Sequence, residues 1–231
     1  MSKHPLDPRL SLAASLVREG ARFADVGTDH AYLPLWLLSE GRLSYAVASD
    51  VAVGPLERAR ANVRAEGREG EVTLLLTDGL AGMEGLSLTD VAICGMGGEM
   101  IVSILAAAPF VREQRVRLIL QPMTHAADLR RYLAAEGFAV LGERYATAAG
   151  KVYLCLAAEY TGEPYALPAP MAELGSAALR DARDTEAFLA FLVLRERDTR
   201  ARLAGKRQGG VDARDEEELL AAIAAEREAL R

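Results

Sequence analysis

The chain has 231 residues, of which 51% are hydrophobic and 26% charged, with a formal net charge of −6. This composition predicts one ordinary domain with an appendage, or two small domains, and it argues against a uniformly basic nucleic-acid-binding coat but not against a local basic face. No apolar run approaches the roughly 18 residues of a membrane span, so we expect no membrane partner. The run Met1-Ser2-Lys3-His4-Pro5 is not followed by a signal-peptide core, which favours a cytoplasmic protein.

Strand-like and helical patterns alternate along the first two thirds of the chain. After a helix over Leu6 to Arg18, the predicted strands are Arg22–Val26, Tyr45–Ser49, Val72–Leu76, Asp90–Cys94 and Val116–Leu120. The helices between and after them cover Leu33–Leu38, Gly54–Glu66, Glu99–Ala108 and Ala126–Glu136. Two further strands, Phe138–Ala146 and Lys151–Tyr160, form an antiparallel hairpin. The pattern predicts an α/β protein with a Rossmann-like, seven-stranded, doubly wound sheet of the methyltransferase variant.

The segment from Arg22 to Pro34 passes from a buried strand through a glycine turn into an apolar helix. Such a segment opens many nucleotide-binding βαβ units. It departs from the dinucleotide fingerprint, because Asp29 and His30 stand where further glycines are required. Acidic groups repel a pyrophosphate but suit a cationic ligand. The leading cofactor candidate is therefore S-adenosylmethionine, which carries a sulfonium and an ammonium.

Polar and glycine residues follow the predicted strands, where ligands of this fold bind. Asp50 is expected to bind the ribose, or alternatively to cap a helix, and Asp78 to bind the adenine amine, or to form a turn with Gly79. Asp25 is expected to meet backbone N–H groups or the ammonium of the cofactor. The predicted cofactor-binding set is Asp25, Gly27, Thr28, Asp50, Asp78, Gly79, Gly95, Met96 and Gly97.

Two kinds of residue near these loops have open alternatives. Asp29 and His30 either act at the reacting centre or only cap and pack against the following helix. Cys94 and Cys155 both lie in apolar runs, which favours buried free thiols over a disulfide or a metal site, and we expect no metal.

The character of the chain changes after Gly162, so we predict two domains, residues 1–162 and 163–231. A proline-rich linker leads to two helices, Thr185–Leu203 and Asp215–Leu230, which are joined by Gly209-Gly210 into a coiled-coil-like helical hairpin. Basic residues concentrate on the first of these helices and its turn. They either present a local basic face or form a solvated surface with intrahelical ion pairs. The basic residues singled out here are Arg195, Arg197, Lys206 and Arg207.

The motifs A-D-V-G-T-D-H-A-Y-L-P, T-D-G-L, G-M-G-G and L-I-L-Q-P-M-T-H-A resemble those of the bacterial tRNA (adenine-22 N1)-methyltransferase family. The resemblance extends from Leu10 to about Glu159, and the tail agrees only in its general helical pattern. It implies a Rossmann-like domain that binds S-adenosylmethionine, with C-terminal helices that help to hold tRNA. The candidates for tRNA contact are then Arg195, Arg197, Lys206 and Arg207.

The resemblance also implies roles at single positions. It places Asp29, His30 and Tyr32 beside the reacting centre and directs Gln121, Pro122 and His125 towards the target base. Tyr32 either stacks on or hydrogen-bonds to the flipped adenine, or it is an ordinary half-buried helix residue. Catalysis would then rest on alignment of the adenine N1 with the methyl group, and a carboxylate such as Asp29 could stabilise the positive charge that develops on the base. The alternatives are a small-molecule or other RNA methyltransferase, and a non-catalytic nucleotide-binding protein of the same fold. We expect a monomer, with a dimer left open.

Overall fold

The computed structural model describes residues 5–230, so Arg231 and most of the run Met1–Pro5 that favoured a cytoplasmic protein lie outside the described residues. Within residues 5–230 the chain forms seven strands and nine α-helices. The strands are β1 (Ala21–Val26), β2 (Leu43–Asp50), β3 (Val72–Leu76), β4 (Asp90–Met96), β5 (Arg117–Pro122), β6 (Phe138–Ala148) and β7 (Lys151–Tyr160). The helices are α1 (Pro8–Leu16), α2 (Tyr32–Ser39), α3 (Val53–Ala65), α4 (Gly98–Ala106), α5 (Phe110–Glu113), α6 (Ala126–Ala135), α7 (Ala169–Leu174), α8 (Thr185–Gln208) and α9 (Arg214–Ala229).

The seven strands form one sheet in the order β3-β2-β1-β4-β5-β7-β6. The first five strands in this order are parallel, and β7 runs antiparallel to both β5 and β6. The chain order reverses between β1 and β4, because the sheet grows from β1 in both directions. At such a switch point the loops at the carboxyl ends of the strands leave a crevice for a ligand.

Helices cover both faces of the sheet, which explains why the central strands read as continuous apolar runs. On one face Leu12, Leu35 and Val63 of α1, α2 and α3 share a core. On the other face Ile101 of α4 and Leu129 of α6 share a second core with the alternate residues of the strands. The predicted parallel sheet with an antiparallel edge is therefore the observed fold.

Several predicted boundaries differ from the structure. The first helix covers Pro8–Leu16 rather than Leu6 to Arg18, because the side chain of Asp7 caps it by accepting from the Leu10 N–H at 2.7 Å. The predicted proline-rich linker, Glu163 to Pro170, overlaps the start of α7, which begins at Ala169 with Pro170 in its first turn. Proline is tolerated there because the first N–H groups of a helix need no intrahelical partner.

The C-terminal helices pack against the edge of the sheet. A third core joins Tyr145 and Leu154 of the β6–β7 hairpin to Leu174 of α7, Phe188 of α8 and Ile223 of α9. Residues on both sides of the predicted boundary at 162 therefore bury apolar surface together. Among the helices of residues 5–230, none combines the length and apolarity that crossing a bilayer requires.

Candidate active site

The loop after β1 has a fixed conformation. Gly27 has a φ of +76°, which favours glycine, and the N–H groups of Gly27 and Thr28 both donate to the Ser49 carbonyl, at 2.9 and 2.8 Å. The Thr28 hydroxyl accepts from the Ala31 N–H at 3.1 Å, and Asn62 of α3 donates to the His30 carbonyl at 2.9 Å. Strand β2 and helix α3 thus hold the loop independently of any ligand.

The G-M-G-G segment after β4 needs its glycines for different reasons. Gly95 has a φ of +79°, and its N–H donates to Gln121 Oε1 at 3.0 Å. A Cβ on Gly98 would lie 2.3 Å from the His125 carbonyl oxygen. The segment is therefore a tight turn that lets α4 begin directly against the loop after β5.

The residues expected to face the target base, Gln121, Pro122 and His125, line neither of the two cavities described below. Gln121 and Pro122 are buried, and the Gln121 Oε1 accepts from Gly95 and from Arg9 Nη1, the latter at 3.2 Å. His125 lies at the start of α6 and lines a separate cavity with Phe191 of α8. Gln121 thus holds the Gly95 turn, because its amide oxygen accepts from the Gly95 N–H and is itself tied to α1 by Arg9.

A cavity of about 460 Å³ opens over the loop after β1. We name it the Asp29 cavity. It is lined by the predicted residues Asp25, Gly27, Thr28, Asp29, His30, Tyr32 and Gly95, and also by Arg9, Cys94, Met123 and Tyr153 among others. The structure thus brings the predicted catalytic residues and part of the predicted cofactor set into one space.

Asp29 and His30 lie at the mouth of this cavity. Asp29 does not cap α2, whose N-cap residue is Ala31. Its Oδ1 accepts from Arg58 of α3, with Nε at 3.0 Å and with Nη2 as a second donor, and its Oδ2 lies 3.3 Å from His30 Nε2. The rings of His30 and Tyr32 are stacked, with centroids 4.9 Å apart and planes 7° apart. The loop therefore presents a carboxylate next to an aromatic surface.

A second cavity, of about 390 Å³, lies at the ends of β2 and β3. We name it the Asp50 cavity. Asp50, Asp78, Gly79, Met96 and Gly97 line it together with the apolar side chains of Val51, Met100 and Ile104, and Gly27 lines both cavities. The Asp50 Oδ1 accepts from the Ala52 N–H at 2.8 Å, so this carboxylate forms the turn before α3 and also lines the cavity.

The two cavities meet where Gly27 and Met96 face each other. A Cβ on Gly27 would lie 2.3 Å from the Met96 methyl carbon. The backbone of Gly27 and a flexible thioether side chain therefore form the division between the cavities. Methionine has several rotatable bonds and adapts to irregular spaces.

Asp25 is the buried carboxylate of the Asp29 cavity. Burial raises its pKa from 3.8 to about 6, and a hydrogen bond from Thr28 and the positive charge of Arg9 offset part of that effect. Arg9 lines the same cavity from α1. The buried Asp25 carboxyl group and the Arg9 guanidinium therefore line the same cavity.

Both cysteines are free thiols, as predicted. Cys155 is fully buried, whereas Cys94 is half-buried and lines the Asp29 cavity. Burial raises the pKa of Cys94 well above its usual value, so the thiol stays protonated at neutral pH. Within residues 5–230 no group of three His, Cys, Asp or Glu side chains lies close enough to hold a metal ion.

The four basic residues of α8 that were expected to contact tRNA all have carboxylate partners. Arg195 pairs with Glu173 of α7, Lys206 with Glu216 at 2.7 Å, Arg207 with Glu217 at 2.8 Å and Arg197 with its neighbour Asp198 at 3.0 Å. Arg197 and Arg207 remain 72% and 64% exposed, whereas Arg195 is 24% exposed. Three of these four pairs join α8 to α7 or α9 and one lies within α8, so the pairs are mostly not the intrahelical ones considered from the sequence, and Arg197 and Arg207 are open to solvent.

Several residues of the site were missed in the sequence, among them Arg9, Arg58 and Tyr153. Arg9 belongs to a helix that precedes β1, Arg58 to α3 and Tyr153 to β7, so each reaches the site only through the tertiary fold. The one local signal is the position of Arg58, which lies eight residues after Asp50 on the helix that begins at that loop.

Comparisons with known proteins agree with this geometry. A family model described as a methyltransferase domain matches residues 6–156. The tRNA (adenine(22)-N(1))-methyltransferase of Bacillus subtilis is 35% identical over 159 residues, which cover 69% of this chain and 67% of that protein.

Solved structures extend the similarity over the tail. A Streptococcus pneumoniae protein, described as a candidate tRNA (m1A22) methyltransferase in complex with S-adenosyl-L-methionine, is 30% identical, with a TM-score of 0.79 over 98% of this chain and 100% of that one. The B. subtilis m1A22 tRNA methyltransferase TrmK is 28% identical, with a TM-score of 0.74 over 98% and 97% of the two chains. These matches confirm the family resemblance that the motifs indicated. They also confirm the S-adenosylmethionine-dependent methyltransferase fold. The chain belongs to the bacterial tRNA (adenine-22 N1)-methyltransferase family.

Proposed function

We propose that this chain transfers the methyl group of S-adenosylmethionine to N1 of adenine 22 in tRNA, with the donor bound across both cavities and the target base bound at the mouth of the Asp29 cavity. The observation that carries the proposal is the meeting of the two cavities at Gly27. One cavity offers ribose and adenine acceptors, and the other offers charged groups beside an aromatic surface.

The Asp50 cavity fits the adenosine part of the donor. The Asp50 carboxylate is an acceptor for ribose hydroxyls, and Asp78 is an acceptor for the exocyclic amine of the adenine. Val51 and Met100 are exposed apolar residues that line this cavity. They would bury the faces of the adenine ring.

The Asp29 cavity fits the zwitterionic amino-acid end of the donor. Asp25 would pair with the ammonium and Arg9 with the carboxylate, so each charge of the ligand meets an opposite charge. When bound, S-adenosylmethionine supplies the methyl group and departs as a neutral thioether. The protein's main contribution at this end is to fix the direction in which the methyl group points.

The mouth of the Asp29 cavity fits a flipped adenine. The stacked His30 and Tyr32 rings offer a flat surface for the base, which must leave its stack before N1 can be reached. The base becomes positively charged as N1 is methylated. The Asp29 carboxylate would stabilise that charge and accept a hydrogen bond from N6.

The segment 163–231, which the sequence predicts as a second domain and which packs against the edge of the sheet, is proposed to help hold the tRNA body. Arg197 and Arg207 are its exposed candidates for phosphate contact. Their ion pairs lie on the surface, where such pairs contribute about 0–1 kcal/mol, so exchanging a carboxylate for a phosphate costs little. The active unit is proposed to be a monomer in the cytoplasm.

The experiment is methylation of two tRNA transcripts that differ only in having adenine or guanine at position 22. We expect 1-methyladenosine in the first transcript alone, identified by mass spectrometry of nucleosides. Asp29→Asn should lower the single-turnover rate by roughly 100-fold, because it removes the charge that faces the base. Equal methylation of both transcripts would contradict the assigned position, and a wild-type rate in Asp29→Asn would contradict the role of the carboxylate.

A further inference from the structure

Arg58 of α3 contacts Asp29 in the loop after β1. Two of its guanidinium nitrogens, Nε and Nη2, both donate to the same oxygen, Asp29 Oδ1. The Arg58 side chain is 50% exposed and that of Asp29 is 60% exposed. The pair thus lies in solvent at the mouth of the Asp29 cavity, and it lacks the parallel two-oxygen geometry of the strongest arginine–carboxylate pairs.

The loop does not depend on this ion pair for its shape. Gly27 and Thr28 are held by the Ser49 carbonyl, and His30 is held by Asn62. These bonds involve backbone groups of the loop and include neither Arg58 nor the Asp29 side chain. A purely structural role for Arg58 would therefore duplicate contacts that the loop already has.

The pair also conflicts with the proposed chemistry. A guanidinium on Asp29 offsets the negative charge that would stabilise a cationic base, so catalysis is favoured when Arg58 is elsewhere. A base that enters the cavity is flanked by phosphates on both sides of its ribose. Those phosphates must pass the mouth of the cavity, where Arg58 lies, and arginine binds phosphate in a well-matched geometry.

We propose that Arg58 binds a backbone phosphate next to the target nucleotide, and that it is held on Asp29 only in the free protein. Entry of the tRNA transfers the guanidinium from the carboxylate to the phosphate and releases Asp29 for the base. The exchange is inexpensive because an exposed ion pair is weak. This inference rests on the proposed function, since it names a group that binds the same substrate.

The test compares tRNA binding by the wild-type protein, Arg58→Ala, Arg58→Lys and the control Arg64→Ala. Arg64 lies on the same helix, is 76% exposed and lies 3.8 Å from Glu69, away from the lining of both cavities. Dissociation constants of a fluorescent tRNA transcript are measured over a range of salt concentrations. Single-turnover methylation is measured in parallel at saturating tRNA.

We expect Arg58→Ala to weaken tRNA binding about tenfold and to reduce the slope of log affinity against log salt by roughly 0.7–0.9, the value for one phosphate contact. Arg58→Lys should keep the slope, because lysine retains the charge, and Arg64→Ala should behave as wild type. Wild-type binding and slope in Arg58→Ala, combined with a lower saturated rate, would overturn the proposal in favour of positioning. Equal losses in Arg58→Ala and Arg64→Ala would overturn it in favour of a general charge effect.

The binding measurement is independent of methyl transfer, so it separates this inference from the proposed function. If the wild-type protein binds tRNA but modifies a nucleotide other than adenine 22, the proposed position is wrong while the Arg58 slope still decides the phosphate contact. If the wild-type protein shows no salt-dependent tRNA binding, both proposals fall.

Discussion

Asp25 is a residue at which ligand binding and stability oppose each other. Burial raises its pKa to about 6, so between about pH 4 and pH 6 the folded protein holds a proton that the unfolded chain has lost. Stability gained from the protonated carboxyl is therefore complete below pH 3.8 and is lost as the pH rises through 6. Above pH 6 the ionised form destabilises the fold by up to about 3 kcal/mol, while the proposed contact with an ammonium requires that charge.

Asp25→Asn should therefore raise stability and reduce cofactor binding at the same time. At pH 8 the melting temperature should rise by several degrees, since 1 kcal/mol corresponds to about 2–4 °C in a chain of this size. The affinity for S-adenosylmethionine, measured by calorimetry, should fall. The difference in melting temperature between Asp25→Asn and the wild type should shrink as the pH is lowered towards 4. If Asp25→Asn is less stable than the wild type at pH 8, this account is wrong.

Among single residues, the strand ends in the sequence indicated several that line the two cavities. Asp50 and Asp78 line the same cavity because the ends of adjacent parallel strands share one edge of the sheet. Gln121 follows the same rule, yet its side chain is buried and bonded to Arg9 and Gly95. Whether a strand-end side chain faces the cavity or the interior depends on contacts with α1, which no local pattern encodes.

Helix α8 illustrates the same distinction for a whole element. Its length and its arginine content could be recognised in the sequence, but the partners of the arginines could not, because most lie on α7 and α9. The strands were predicted to within a few residues since buried parallel strands give continuous apolar runs. Helix α7 was not predicted because Pro164, Pro168 and Pro170 lie before it and in its first turn, and because it packs against α6 and α9, which no local pattern shows.

The arginines of α8 should therefore divide into two groups when they are tested. Replacing both Arg197 and Arg207 with alanine should weaken tRNA binding and lower its salt slope by up to roughly 1.8, because both are free to exchange a weak surface pair for a phosphate. Arg195→Ala should instead lower the melting temperature with little change in the slope, since Arg195 is mostly buried against Glu173. If all three substitutions leave tRNA binding at the wild-type level, this helix does not contact RNA through these arginines.

In the molecule as a whole, buried polar contacts join the sheet to the C-terminal segment across the predicted domain boundary at residue 162. Arg130 and Glu143 form a buried ion pair at 2.7 Å, and Arg130 also donates to the Ala172 carbonyl of α7 at 2.9 Å. Asp184, just before α8, accepts from Arg144 at 2.6 Å and from the Tyr145 N–H at 2.8 Å. Removing one member of such a buried pair leaves an uncompensated charge, which is strongly destabilising. The tail is thus part of the folded core, whatever it contributes to binding tRNA.

Replacing Phe188 tests whether the sheet and the C-terminal helices unfold together. Its ring is buried against Tyr145 of β6 at a centroid distance of 5.0 Å, so Phe188→Ala should cost about 3–5 kcal/mol. If the sheet and tail unfold together, calorimetry should show a single transition that shifts down by roughly 6–20 °C. Val193→Ala, at an exposed position of the same helix, should change the transition by about 1–2 °C at most.

Two transitions, of which only the lower one moves in Phe188→Ala, would instead mean that residues 163–231 unfold as a separate domain. The cofactor would then be expected to stabilise the upper transition alone, because ligand binding raises the stability only of the unit that binds it.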